Sequence, residues 1–310
     1  NLINFIKSKG FKVRKLVYKA PNNNYKLPHS KWLGVDQSVD AKESISHLKI
    51  HKCDYLIVDH YGIDFEWEHK VKNYTNYIIV LDDLGDRKHY CNFLIDQTFG
   101  IDSKTYIDLV PSSCELLLGS KYALLRPEFH YWRKFSLERR KNQILNNILI
   151  TFGGNDPNNY ISKTLEILNH CQIASQTEII VIMRQKSENL DSVLSIASNS
   201  RFHVSVQTDV INMAEIMAKA DLAIGASGST TWERCCLGLP SIQLSIAVNQ
   251  EISSKILAAK NIIKLIKSLE EVPELINTFE SWRGNLSESS STICDGLGTN
   301  RVVKKIMGVF

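Results

Sequence analysis

The sequence predicts an α/β chain in two Rossmann-like halves: short apolar runs alternate with helix-period segments along its length, and the alternation stops and restarts near residue 145. The length of 310 residues also suits two domains of ordinary size. In the first half, Lys12–Val17, Tyr55–Asp59, Tyr77–Asp82, Phe93–Asp96 and Glu115–Leu118 read as strands with helical patterns between several of them. In the second, the strands are Leu145–Phe152, Glu178–Met183, Phe202–Val206, Asp221–Gly225 and Ser241–Ser245. Helices fall near Ile161–Asn169, Asn212–Ala220, Thr231–Leu237 and Gln250–Ala259. The charged stretch from Tyr131 to Asn147 has no strong apolar period, which places domains at 1–134 and 147–310 with a solvated linker at 135–146. Asn1–Lys9 reads as the end of a helix capped by Gly10, with no strand and glycine loop before it, so the first half is expected to be incomplete at its N-terminus. Thr299–Phe310 is amphipathic and is expected to pack back across the linker.

Composition narrows the class. The chain is 44% hydrophobic and 23% charged, ordinary for a globular protein. No apolar run is long enough to span a membrane, and the first residues lack the regions of a signal peptide, so a cytoplasmic monomer without stable membrane association is expected. A net charge of +4 is too mild for a nucleic-acid partner, although Arg133, Lys134, Arg139, Arg140 and Lys141 form one basic run. Seven cysteines without a Cys-x-x-Cys or Cys/His ladder indicate reduced, mostly buried thiols, not a disulfide framework or a zinc site. No cofactor or metal is expected. Asp82-Asp83 is a carboxylate pair with no further ligands beside it.

Five segments carry the chemistry. Asp221–Glu233 runs from a strand through Gly225-Ala226-Ser227-Gly228-Ser229 into a helix, where unpaired N–H groups and the helix dipole favour a diphosphate. Glu233, one turn in, suits a ribose diol, although Thr230-x-x-Glu233 is also a capping box. Thr151–Asn159 contains Gly153, Gly154 and Asp156 on a strand-to-helix loop at the sheet's carboxyl edge, and is also ordinary turn chemistry. Asp59-His60-Tyr61-Gly62 follows a strand; His60 is a candidate base or phosphate ligand and Tyr61 a donor to a sugar oxygen, with backbone satisfaction as the alternative for Asp59 and His60. Asp82 and Asp83 end the next strand and either order loops or meet substrate hydroxyls. Asn249-Gln250 starts a helix, with Asn249 readable as a simple N-cap.

In order along the chain, Leu56–Tyr61 with Trp67-Glu68, Asp82-Asp83 through His89, Ile95-Asp96-Gln97, Leu116–Phe129, Thr151–Asn158, Gly225–Glu233, Asn249-Gln250 and Cys294–Gly298 resemble the UDP-2,4-diacetamido-2,4,6-trideoxy-β-L-altropyranose hydrolases of pseudaminic acid biosynthesis. These are relatives of the GT-B N-acetylglucosaminyltransferase that makes lipid II. The resemblance implies a GT-B-like fold with UDP in a cleft between its halves. It sets Gly225–Ser229 on the phosphates, Glu233 on the ribose, Tyr61 on the sugar side and Asn249 and Gln250 against substrate. It also implies that an initial piece of roughly 50 residues, carrying a loop histidine as base, is missing from this chain. The implied reaction is attack of water on the anomeric carbon with release of UDP, serving surface polysaccharide synthesis. A UDP-sugar glycosyltransferase and a nonhydrolytic sugar-nucleotide-binding form, inactive through truncation, are the alternatives.

Overall fold

A computed structural model describes residues 2–16, 29–142 and 144–308. The chain divides into one unit of residues 1–96 and 101–118 and a second of 97–100 and 119–310.

In the first unit, β1 (Cys53–Val58), β2 (Thr75–Leu81), β3 (Phe93–Asp96) and β4 (Glu115–Leu118) form a wholly parallel sheet in that order. Helices α1 (Leu2–Ser8), α2 (Gln37–Ile50) and α3 (Phe65–Val71) belong to the same unit. Asp36 and Asp64 start α2 and α3 by accepting the N–H groups of Ser38 and Glu66. Ala41, Trp67 and Val71 pack with Val58, Ile78, Val80 and Leu94. On the strands' other side, Ile57 and Tyr77 are exposed, and Tyr77 stacks on Tyr55. The strand expected at Lys12–Val17 is not there: residues 12–16 have no regular pairing, and Val17 lies outside the described residues. An apolar alternation makes a strand only where a neighbouring ladder takes its N–H and C=O groups.

The second unit holds helix α4 (Pro127–Arg139) and then a six-stranded parallel sheet. Its strands are β5 (Asn147–Thr151), β6 (Glu178–Met183), β7 (His203–Thr208), β8 (Leu222–Ala226), β9 (Ser241–Leu244) and β10 (Lys264–Ile266). Its other helices are α5 (Tyr160–Asn169), α6 (Leu190–Ser198), α7 (Met213–Lys219), α8 (Thr230–Cys236), α9 (Val248–Ala259), α10 (Val272–Asn277), α11 (Phe279–Ile293) and α12 (Gly298–Met307). Ile148 and Ile150 enter one core with Ile161, Leu165 and Leu168 of α5, while Leu149 enters a second core with Met217 and Cys235. Both faces are therefore covered, which is why the strands read as continuous apolar runs. The three-residue β10 is too short to carry a period and was not foreseen.

The 135–146 stretch is not a solvated linker, and the units divide instead at Leu118/Gly119. Residues 127–139 are α4, and its Arg133 and Arg139, with Arg140 just after it, face inward to the C-terminal ends of three helices. Arg140 is buried and donates to the carbonyls of Leu237 (2.9 Å), Ala220 (2.9 Å) and Met217 (3.1 Å). Arg133 donates to Cys236, Cys294 (3.1 Å) and Ser291 (2.8 Å). Arg139 pairs with Asp221 at 2.5 Å, and that carboxylate also accepts the N–H groups of Asn146 and Asn147. The last carbonyls of a helix lack partners within it and carry its negative pole, so guanidinium groups suit them. These ends come from α7, α8 and α11, all distant in sequence, and no local pattern announces them. The C-terminal segment packs against residues 121–125 and not, as expected, across the 135–146 stretch: Thr299 donates to Leu125 O and Arg301 to Lys121 O.

Replacing Arg140 by Ala strips these carbonyls of their donor and is expected to cost about 3–5 kcal/mol of stability. Urea unfolding would measure this, and a loss below about 1 kcal/mol would mean that water satisfies the carbonyls.

Candidate functional site

The order of the second sheet is β10-β9-β8-β5-β6-β7, so the strand order reverses between β5 and its parallel neighbour β8. Ligands of open parallel sheets bind beyond the carboxyl ends of the strands at such a reversal. The two glycine-bearing loops picked out in the sequence lead from these neighbouring strands, whose last rungs pair Ile150 with Ile224 and Thr151 with Gly225.

Gly225 is glycine for a packing reason. A Cβ there would collide with the carbonyl of Thr151 and lie 2.8 Å from Nη2 of Arg234. Arg234 is fully buried and reaches back from α8 to donate to Ala226 O (3.0 Å) and Thr151 O (3.5 Å), tying the two strand ends together. Burial lowers its pKa to about 10, which leaves it charged at neutral pH. The expectation that Gly225 and Ala226 open the backbone to phosphate is thus corrected: both are buried strand residues, and the accessible part of the loop begins after them.

Ser227 N–H donates to Leu244 O, and Gly228 N–H makes a long 3.4 Å bond to Thr231 Oγ1. Thr231 Oγ1 itself donates to Gln243. Among the described residues, the N–H groups of Ser229 and Thr230 have no backbone partner. The hydroxyls of Ser227 and Ser245 are buried and unpartnered. Gln250 lies alongside, its Nε2 3.4 Å from where a Cβ on Gly228 would be. Its Oε1 accepts the N–H of Ile246. Asn249 is exposed in the first turn of α9 and does not cap it, since the N-cap is Ala247.

The capping box read at Thr230 and Glu233 does not form, because Ser229 is the N-cap and no side chain caps the helix. Among the described residues, the half-buried Glu233 carboxylate has no hydrogen-bond partner. Burial raises its pKa, and Arg126 and Arg234 oppose the shift. Arg126 also donates to Ile211 O.

On the β5 loop, Gly153 has φ +86° with open space beside it. Gly154 is covered by the side chain of Arg184, whose stem occupies the room a Cβ would need. Asp156 is corrected from ligand to structural residue: it is buried, and its carboxylate accepts the N–H groups of Tyr160 (2.9 Å) and Ile161 (2.8 Å) at the start of α5.

In the first unit, Tyr61 donates to Asp83 Oδ1 at 2.6 Å. Burial and then Asp83 push the Tyr61 hydroxyl far above its ordinary value, so it remains protonated and acts as a donor. Burial also raises Asp83, partly offset by the Tyr61 bond. His60 Nδ1 accepts the N–H of Gly62 at 2.9 Å. That backbone contact is the role the structure shows for the His60 ring, matching the alternative of backbone satisfaction. Asp59 is exposed beside it. Asp82 is corrected to a structural role: it is buried, ion-paired to Arg87 at 2.7 Å, and accepts from Gly85 N–H and the Tyr106 hydroxyl. Beneath it, His89 pairs with Glu68 at 2.8 Å.

Sequence reasoning missed Arg126, Arg184 and Arg234. Only Arg234 had a local signal, as a lone cation within the apolar run Trp232–Leu237. Among the described residues, no group of three or more His, Cys, Asp or Glu could hold a metal, and no helix is long and apolar enough to cross a membrane.

No family model matches the chain. It is 29% identical over 209 residues to an uncharacterized protein of Methanocaldococcus jannaschii, covering 66% of this chain and 43% of that one. It is 26% identical to the spore coat polysaccharide biosynthesis protein SpsG of Bacillus subtilis, covering 86% of this chain and 80% of that one. It is 29% identical to the UDP-2,4-diacetamido-2,4,6-trideoxy-β-L-altropyranose hydrolase of Campylobacter jejuni, covering 70% and 76% respectively. Among solved structures, Acinetobacter baumannii MurG superposes with a TM-score of 0.66 at 13% identity, over 98% of this chain and 87% of that one. Neisseria meningitidis UDP-GlcNAc 2-epimerase gives 0.59 at 11%, over 88% and 81%. The chain is therefore a two-unit α/β protein of the GT-B fold, related in sequence to the UDP-2,4-diacetamido-2,4,6-trideoxy-β-L-altropyranose hydrolases.

Proposed function

We propose that the chain binds a UDP-linked 2,4-diacetamido-2,4,6-trideoxyhexose and hydrolyses it at the anomeric C–O bond, releasing UDP and free sugar in the synthesis of pseudaminic acid. The observation that carries this reading is the edge of the second sheet, where, among the described residues, the N–H groups of Ser229 and Thr230 have no backbone partner and the Glu233 carboxylate one turn on accepts no hydrogen bond. A diphosphate matches the first and a vicinal diol the second. The relationship to the Campylobacter jejuni hydrolase supplies the substrate class.

Cleavage of the C–O bond leaves negative charge on the departing diphosphate. The N–H groups of Ser229 and Thr230 and the hydroxyl of Ser227 stabilise that charge, and one such preorganised donor is typically worth about 3 kcal/mol. Gly153 leaves the neighbouring loop open, and Arg184 and Gln250 flank the two loops with a cation and an amide.

Glu233→Ala should weaken UDP binding by roughly 1–3 kcal/mol, the worth of a charged hydrogen bond. Calorimetry on a folded variant with unchanged affinity rejects the ribose contact. Glu233 also predicts its own stability cost. Its raised pKa means that the folded protein favours the protonated acid, so stability present below the unfolded value of 4.5 is lost as pH rises through the folded pKa. Glu233→Gln should therefore melt a few degrees higher than wild type at pH 7 without nucleotide, the gap closing near pH 4. An equal or lower melting temperature at pH 7 contradicts this. Turnover in isotopically labelled water should put the label on the sugar, whereas label on UDP means P–O cleavage.

A further inference from the structure

Two thiols of the first unit stand in contact and take part in none of the chemistry above. Cys91 is buried in the core with Val80 and Leu94, while Cys114 is half-buried at the edge of that core. Their Sγ atoms lie 3.6 Å apart. Each sits just before a strand, Cys91 before β3 and Cys114 before β4, and the two strands run side by side in parallel with Phe93 opposite Glu115. Neighbouring strands are about 4.8 Å apart, a separation that a disulfide spans. The backbone is already tied there, since Glu115 N–H donates to Asn92 O at 2.9 Å. Closing the sulfurs to a bond of about 2 Å therefore calls for side-chain rotation rather than movement of the strands.

The two sulfurs differ in access and in protonation. Cys114 closes a turn in which Ser112 and Ser113 are exposed, so a small oxidant reaches its sulfur from solvent. Contact with the Cys114 sulfur, then burial, then the nearby Glu68 and Asp82 carboxylates hold the Cys91 thiol far above its ordinary value, and it stays protonated. Cys236 and Cys294 also form a hydrogen-bonded pair, but both are buried and neither offers a sulfur to solvent.

We propose that Cys91 and Cys114 are a peroxide-sensitive dithiol, in which hydrogen peroxide oxidises Cys114 and Cys91 then closes a disulfide that staples the start of β3 to the start of β4. In the first step the Cys114 sulfur takes one peroxide oxygen as a hydroxyl, the O–O bond breaks, and the thiol proton leaves with the other hydroxyl as water. Peroxide is reduced by two electrons and the sulfur becomes a sulfenic acid. In the second step the Cys91 sulfur attacks that of Cys114, the S–O bond breaks, and the Cys91 proton leaves with the hydroxyl as a second water.

The test treats the folded protein with hydrogen peroxide, blocks the remaining thiols with iodoacetamide in denaturant and maps the peptides by mass spectrometry without reductant. Wild type should yield a linked Cys91–Cys114 peptide pair that dithiothreitol opens, with Cys236 and Cys294 alkylated. The oxidised protein should melt a few degrees above the reduced one, because the bond joins positions 23 residues apart and restricts the unfolded chain. In Cys91→Ser the sulfenic acid has no thiol to meet, so dimedone should label Cys114, whereas Cys114→Ser should leave Cys91 open to alkylation. Alkylation of both cysteines in peroxide-treated wild type, a link from either one to Cys53 or to a second chain, or no gain in melting temperature overturns the proposal. The wild-type map decides even where a variant fails to fold. No nucleotide enters the experiment, so its outcome is independent of the UDP reading.

Discussion

A single guanidinium, that of Arg234, holds together the place on which the functional reading rests. It lies in the interior between the ends of β5 and β8 and donates to a carbonyl of each. Removing such a charge from water costs several kcal/mol, and its attraction to neutral carbonyls returns only part of that. What the burial secures is geometry: the two loops at the reversal of the sheet start from strand ends that cannot drift apart while Arg234 bridges them. Gly225 follows from the same bridge, because any side chain there would strike Thr151 or the guanidinium. The N–H groups of Ser229 and Thr230, which have no backbone partner among the described residues, follow directly on the strand end that Arg234 holds.

The same device recurs along α4. Arg133, Arg139 and Arg140 insert into the second unit and meet the carbonyl ends of α7, α8 and α11 and the carboxylate of Asp221. A stretch with the composition of a solvated connector is thereby part of the packed interior. Charged hydrogen bonds of this kind contribute about 1.5–3 kcal/mol each, enough to offset desolvation only when several converge on one group. Arg140, with three carbonyls, meets that condition.

The first unit distributes its polar residues differently. Asp82 and Arg87 form a buried pair with His89 and Glu68 packed beneath, and Asp83 and Tyr61 stand above it. Adjacent residues in the sequence, Asp82 and Asp83, thus take different partners: β2 ends at Leu81, and on the loop beyond it Asp82 is held by Arg87 while Asp83 accepts the Tyr61 hydroxyl.

Strand runs and the restart of the alternation near Leu145 were readable from the sequence, because a parallel sheet buried on both faces needs uninterrupted apolar strands. The small residues of the two loops were visible too, but not what Gly225 makes room for, the Thr151 carbonyl and the Arg234 guanidinium. Long-range partnership alone settled the rest. Asp156 and Asp82 have the residue type of ligand contacts, but helix-start N–H groups and a guanidinium take their lone pairs. His60 has the residue type of a base, but the Gly62 N–H takes its Nδ1. The arginines of α4 read as solvated until the helix ends they cap, some 80 to 160 residues away, are brought to them. Residue type and period depend on near neighbours in the chain, whereas the occupant of a given lone pair depends on which distant backbone groups folding brings within about 3 Å of it.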